Sequence, residues 1–258
     1  MKRIILTPAI LLLAGMLFTF GQVTTGTVEY EEVIKFEIKL EGEMKAMMRD
    51  MPKERKANQV LYFNEESSLY TKSEITVEQD MTGFSGERRG RGMRMNAPHN
   101  IVYTDLEKQE IVEQREFMTR MFLINQEMPK SDWKITGQQK MILDYPCMEA
   151  TKIDTAGVVT SVWFSPSIPV QGGPALFCNL PGLVLEVNVN DSSHVITAQS
   201  VTVEEPNQDI LKKPREGKKV TQEEFEQIVK EKMEEMGIEG DMRGPGSGRG
   251  MHMIRIHQ

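Results

Sequence analysis

Between residues 27 and 204 the chain is cut into short segments by turn residues, and most of those segments are too short to be helices. This cadence narrows the choice of fold more than any other feature. The stretch from Thr27 to Leu40 alternates apolar and charged residues from Ile34 onward, the pattern of a strand with one solvated face. Gln59 to Phe63 and Ser68 to Lys72 flank Asn64-Glu65-Glu66-Ser67 and read as a hairpin. Further strands are expected at Ile101–Asp105, Gln109–Phe117, Arg120–Asn125, Gln138–Leu143, Met148–Ile153, Val158–Phe164, Leu183–Val189 and His194–Glu204. Turn signals such as Thr155-Ala156-Gly157 and Asn190-Asp191-Ser192-Ser193 lie between them. The expected fold class is mainly β: an antiparallel meander in a strongly curved sheet or partly open barrel, with a C-terminal amphipathic α-helix.

Two stretches carry helical periodicity instead. Met44, Met47, Met48 and Met51 recur on one face and read as packing residues. Residues 221–237 are the stronger helix. Thr221-Gln222-Glu223-Glu224 has the form of a capping box, with Thr221 as N-cap and Glu224 reaching back. Phe225, Ile228, Val229, Met233 and Met236 form an apolar stripe, and Gly237 supplies a stop. Residues 205–220 read as a polar linker before this helix.

The ends of the chain are of a different character. Met1-Lys2-Arg3 followed by the apolar run Ile4 to Phe20 reads as a signal peptide over residues 1–21, with cleavage before Gln22. The implied location is periplasmic or secreted. The formal net charge of −7 becomes more acidic once Lys2 and Arg3 are removed, which argues against a general nucleic-acid binder. No second apolar run is long enough to span a membrane. The two cysteines, Cys147 and Cys178, would form a disulfide in an oxidising compartment; the alternative is two buried thiols.

Ser161 to Val187 carries the most particular sequence. An aromatic strand ends at Ser165-Pro166, followed by Ile168-Pro169, Gly172-Gly173-Pro174 and Leu180-Pro181-Gly182-Leu183. Pro181-Gly182 predicts a tight turn, with Pro at its second position and Gly at its third. Together with Trp133-Lys134, the Tyr145-Pro146-Cys147-Met148-Glu149-Ala150-Thr151 segment, and Trp163 with Pro169, this stretch resembles the GLPGLI family of secreted proteins from Gram-negative bacteria. The positions that carry the resemblance are Trp133, Cys147, Trp163, Pro169, Leu180, Pro181, Gly182 and Leu183. Val184 replaces the final Ile of the family's motif. Asn179 stands where the family usually has Gly, a position Asn can occupy because it tolerates φ > 0. The resemblance implies a β-rich domain over residues 22–204 and a secreted address, and it transfers no catalytic residues.

A short repeat suggests chemistry. Gly90-Arg91-Gly92-Met93-Arg94-Met95 lies in a Gly/Arg/Met loop at 81–100, and Gly248-Arg249-Gly250-Met251-His252-Met253 lies in a tail at 238–258. Both segments are expected to be disordered, because neither can bury enough apolar area to offset chain entropy. Thioethers beside imidazole suit Cu(I), so Met93, Met95, His99, Met251, His252 and Met253 are candidate copper ligands in a chain with 19 methionines. The loop arginines could instead meet an anionic partner. The four histidines, His99, His194, His252 and His257, form no recognisable catalytic spacing, and no Gly-x-Ser-x-Gly elbow, His-Glu-x-x-His or phosphate loop occurs. The reading is a non-enzymatic, envelope-associated binding or interaction protein, with no resident cofactor and with an apolar ligand or an envelope protein as partner. The alternative is copper binding through the Met/His segments.

Overall fold

The computed structural model describes residues 23–35, 54–73, 100–130, 132–207 and 209–235. The expected signal peptide, the Met44–Met51 stripe, nearly all of the Gly/Arg/Met loop, and the tail lie outside the described residues.

The first six strands are β1 (Gly26–Lys35), β2 (Glu54–Phe63), β3 (Ser67–Lys72), β4 (Asn100–Asp105), β5 (Glu110–Phe117) and β6 (Arg120–Glu127). They are followed by β7 (Lys134–Ile142), β8 (Tyr145–Ile153), β9 (Val159–Ser165), β10 (Leu183–Val189), β11 (His194–Thr202) and β12 (Lys218–Val220). Helix α1 (Gln222–Glu235) closes the described chain.

All twelve strands belong to one sheet, in the order β12-β6-β5-β4-β3-β2-β1-β11-β10-β9-β8-β7. The chain therefore makes two meanders. β1 to β6 step outward in one direction. After β6 the chain crosses to the far edge and steps back from β7 to β11, where β11 pairs antiparallel with β1. The sheet is mainly β as expected and does not close into a barrel, because β7 and β12 remain as edges.

One face of the sheet is apolar, and the registers show it directly. A row across six strands runs Ala150, Val162, Val187, Ile196, Glu32, Ala57. Ala150, Val162, Val187 and Ile196 are fully buried. Burying such a row supplies the main favourable term in folding, roughly 1.5–3 kcal/mol for each large aliphatic side chain. Glu32 is the one charged residue in the row.

Local chemistry accounts for the turns. Asn190, Asp191 and Ser192 all have positive φ in the β10–β11 connection, as the Asn-Asp-Ser-Ser signal implied. Asn188 Oδ1 accepts the Ser192 N–H at 2.8 Å and steadies that turn. Edge strand β7 is nearly all exposed, and it carries Gly137 at φ 84° with a register shift between Ile135 and Gln139. A bulge of this kind makes an edge a poor template for pairing with another chain.

The capping box predicted for the helix forms in both directions. Glu224 N–H donates to Thr221 Oγ1 at 3.2 Å, and Thr221 N–H donates to Glu224 Oε2 at 2.8 Å. Helix α1 buries Phe225 and Met233, and Phe225 packs with Phe122, Ile124 and Val220. The helix thus docks at the β6 end of the sheet. Part of the segment read as a linker is structured: Lys218–Val220 pairs parallel with Phe122–Ile124 and delivers the chain to the helix. Among the described residues no helix is long and apolar enough to cross a membrane.

Candidate functional site

The segment between β9 and β10, residues 166–182, folds back over the buried face. Ile168 and Leu180 are fully buried, and Val170, Phe177 and Cys178 nearly so. Its backbone is tied down at several points. Leu183 N–H donates to Ile168 O at 2.9 Å, Val184 N–H to Gly172 O at 3.3 Å, and Asn179 N–H to Gln171 O at 2.9 Å. Gly172 approaches β3, where a Cβ would lie 3.4 Å from Ser68 Oγ. The chain's own connection therefore covers the apolar face of the sheet, the surface an apolar ligand would need.

The motif residues explain this path. Gly182 N–H donates to Leu180 O at 2.8 Å, so a three-residue turn centred on Pro181 replaces the four-residue turn predicted there. The reason for glycine is close approach: a Cβ at Gly182 would stand 2.3 Å from the Ser165 carbonyl oxygen. Asn179 adopts φ 63°, the left-handed conformation its residue type permits. Its side-chain amide also donates to Pro129 O at 2.8 Å, a contact glycine could not make. Pro169 and Pro181 are exposed, and Leu183 is fully buried.

Both tryptophans are partly buried and each carries a lysine over its ring. Trp133 packs against the core, donates from Nε1 to Cys178 O at 3.3 Å, and carries Lys152 Nζ 4.5 Å from its ring centroid. Trp163 is half-buried and also packs against the core, stands in the register between Glu149 and Glu186, and has Lys140 Nζ 4.3 Å from its ring centroid. Cys147 and Cys178 are free thiols in the structure, both buried, and the expected bond between them is not formed. Burial pushes the Cys147 thiol up to about 11 and the Cys178 thiol up to about 12. Both are protonated at neutral pH, and it is the thiolate that acts as nucleophile or metal ligand.

The inward-facing polar cluster escaped the sequence reading. Glu32 of β1 meets His194 of β11, with Nε2 2.8 Å from Oε1, and accepts from Gln59 Nε2 at 2.9 Å on its other oxygen. Burial alone raises the Glu32 carboxyl, but the hydrogen bonds and charge of His194, with Gln59 and Arg55, bring it below the usual glutamate range. Above it, Tyr30 and Tyr70 pack edge-on with ring centroids 6.1 Å apart. The Tyr30 hydroxyl donates to Val184 O at 2.6 Å, whereas the Tyr70 hydroxyl is buried with no hydrogen-bond partner. Burial first, then the charge of Glu32, raises the Tyr70 hydroxyl well above its ordinary value. Phe177 of the buried connection meets the His194 ring edge-on at 6.5 Å. The carboxylate and imidazole are bonded to one another beneath this connection, an arrangement that braces it. A sequence signal did exist: Glu32 interrupts the inward-facing series Val28, Tyr30, Ile34.

The candidate copper ligands Met93, Met95, His99, Met251, His252 and Met253 all lie outside the described residues. Among the described residues no group of three or more His, Cys, Asp and Glu side chains is placed to hold a metal ion.

The family model described as N-glycanase peptide, N-terminal domain (PNGase F-II type) matches residues 75–224. The chain belongs to that family. Two crystal structures of PNGF-II share its fold. The C2 form superposes with a TM-score of 0.52 at 15% identity, covering 80% of this chain and 32% of its own. The P21 form gives 0.54 at 14% identity, covering 87% and 38%. The chain thus spans about a third of the length of these solved structures. No curated protein matches it in sequence.

Proposed function

We propose that this chain is a secreted, envelope-associated binding module that does no chemistry of its own and whose ligands are N-glycan-bearing proteins. The observation that carries this reading is membership of the N-glycanase N-terminal domain family across residues 75–224. The resemblance to secreted GLPGLI proteins supports the address.

Physical arguments support a binding role over a catalytic one. The two thiols are buried and protonated, so neither is an activated nucleophile. His194 is bonded to Glu32 and packed beneath Phe177, which leaves its ring little freedom to shuttle protons. The apolar face is covered by residues 166–182, so a ligand is better accommodated on the outer side of the sheet.

The test is calorimetric titration of the purified chain with a high-mannose N-glycoprotein and with the same protein after removal of its glycans, with mass analysis for released glycan. Binding of the glycosylated form alone, with no release, is expected. Equal binding of both forms, or no binding of either, would overturn the glycan reading. Glycan release would overturn the non-enzymatic one.

A further inference from the structure

The outer face of the sheet has a composition that its buried side hides. The registers place one row across six strands: Glu149, Trp163, Glu186, Thr197, Glu31, Asn58. The adjacent row runs Thr151, Ser161, Asn188, Val195, Val33, Lys56. Every one of these side chains is half-buried or exposed. The result is a broad surface of hydroxyls, amides and charged groups around one indole, with Val33 and Val195 in its adjacent row.

Two of its carboxylates, Glu186 and Glu31, are paired with lysines. Lys140 Nζ lies 2.7 Å from Glu186 Oε1, and Lys56 Nζ lies 3.9 Å from Glu31 Oε2. Glu149 Oε2 accepts from Thr136 Oγ1 at 2.7 Å. A surface that pairs its own charges has little pull on a strongly ionic ligand. It retains many donors and acceptors, together with the flat apolar face of the indole.

That combination fits a pyranose ring. One face of such a sugar presents C–H groups that can lie on an indole, and its equatorial hydroxyls reach outward to flanking acceptors and donors. Glu149 and Glu186 stand directly on either side of Trp163 in the register, at the positions such hydroxyls would reach. Lys140 covers the ring. Its ammonium is partly solvated, and a surface cation–π contact of this kind is weak enough for a stacked ring to displace.

We infer that the outer face of β8, β9 and β10, centred on Trp163, is the subsite on which this chain binds a neutral glycan. The inference rests on the proposed glycan-binding function and gives it a location. Trp163 is the stacking residue, Glu149 and Glu186 accept sugar hydroxyls, Ser161 and Asn188 continue the surface, and Lys140 shields the ring.

The experiment measures binding of the high-mannose N-glycoprotein, with its deglycosylated form as control, to wild type, Trp163→Ala, Trp163→Phe and Ser161→Arg. Thermal unfolding is followed for each. Trp163→Ala should lose roughly tenfold or more in affinity, and Trp163→Phe should keep part of it. Ser161→Arg removes no core contact and places a bulky cation on the platform, so it should abolish binding while leaving the melting temperature in place. If Trp163→Ala melts early, the Ser161→Arg result decides. Wild-type affinity in Ser161→Arg would overturn the location while leaving the glycan function standing. No glycan-dependent binding by wild type would overturn both.

Discussion

The two faces of one sheet do different work with similar residues. The inner face carries Glu32 and His194, whose side chains would be the natural choice for chemistry, yet both are held by each other, by Gln59 and by Phe177. The outer face carries Glu149, Glu186 and Lys140, half-buried residues that bond to one another or to Thr136 around Trp163 and stay in contact with solvent. Residue type alone would have pointed to Glu32 and His194, which the fold encloses. What separates the faces is the 166–182 connection, which turns the inner side into core.

The largest expected effect breaks that closure. A Cβ at Gly173 would stand 2.0 Å from the Phe177 carbonyl oxygen and 2.9 Å from Val184 Cβ, both inside the packed connection. Gly173→Ala should therefore cost more than about 4 kcal/mol in denaturant unfolding, through forced backbone displacement. A cost below about 1 kcal/mol would mean that the connection is loosely held.

Next is the helix end. Phe225 packs edge-on with Phe122 at 5.3 Å and with Phe117 at 6.2 Å, and Arg115 lies over its ring at 5.1 Å. Phe225→Ala should cost about 3 kcal/mol. Because α1 touches chiefly β6, hydrogen exchange should show protection lost in α1 and β12 and kept in β1 and β11. Uniform loss across the sheet would show instead that the two ends unfold as one.

A smaller effect should appear with pH. The Glu32 carboxyl is held below the usual glutamate range, so its contribution is fully present above that range and disappears as pH falls through the depressed folded value. Glu32→Gln should be the less stable protein at neutral pH, and the gap to wild type should narrow on acidification. A gap that stays constant into the acid limb would mean that the His194 contact adds nothing to stability. The smallest effect belongs to the outer face: Ser161→Arg should change stability by less than about 0.5 kcal/mol.

Much of the fold was legible because it is local. Alternation and turn residues located most strands, and Thr221 with Glu224 located the helix start, since each signal lies within a few residues of its consequence. The strands that were shortened or missed have exposed sequences: Glu54 to Asn58, Lys134 to Gly137, and Lys218 to Val220 carry no sustained alternation because little of them faces the core. The site was less legible for a different reason. Glu32 and His194 are 162 residues apart and meet only because β11 returns to pair with β1. Trp163 was visible, but the rows of side chains around it exist only once the five registers that join six strands are fixed. The likeness of the Pro-Gly segment to a secreted family pointed to the connection that closes the inner face, without saying what that connection excludes.

The most direct measurement is chemical-shift mapping of the isotopically labelled chain with a free high-mannose oligosaccharide. Perturbation of the Trp163 indole N–H and of the amides of Ser161, Glu186 and Asn188 is expected, with His194 unmoved. Shifts concentrated at Glu32, His194 and Phe177 would contradict it and return the function to the inner face.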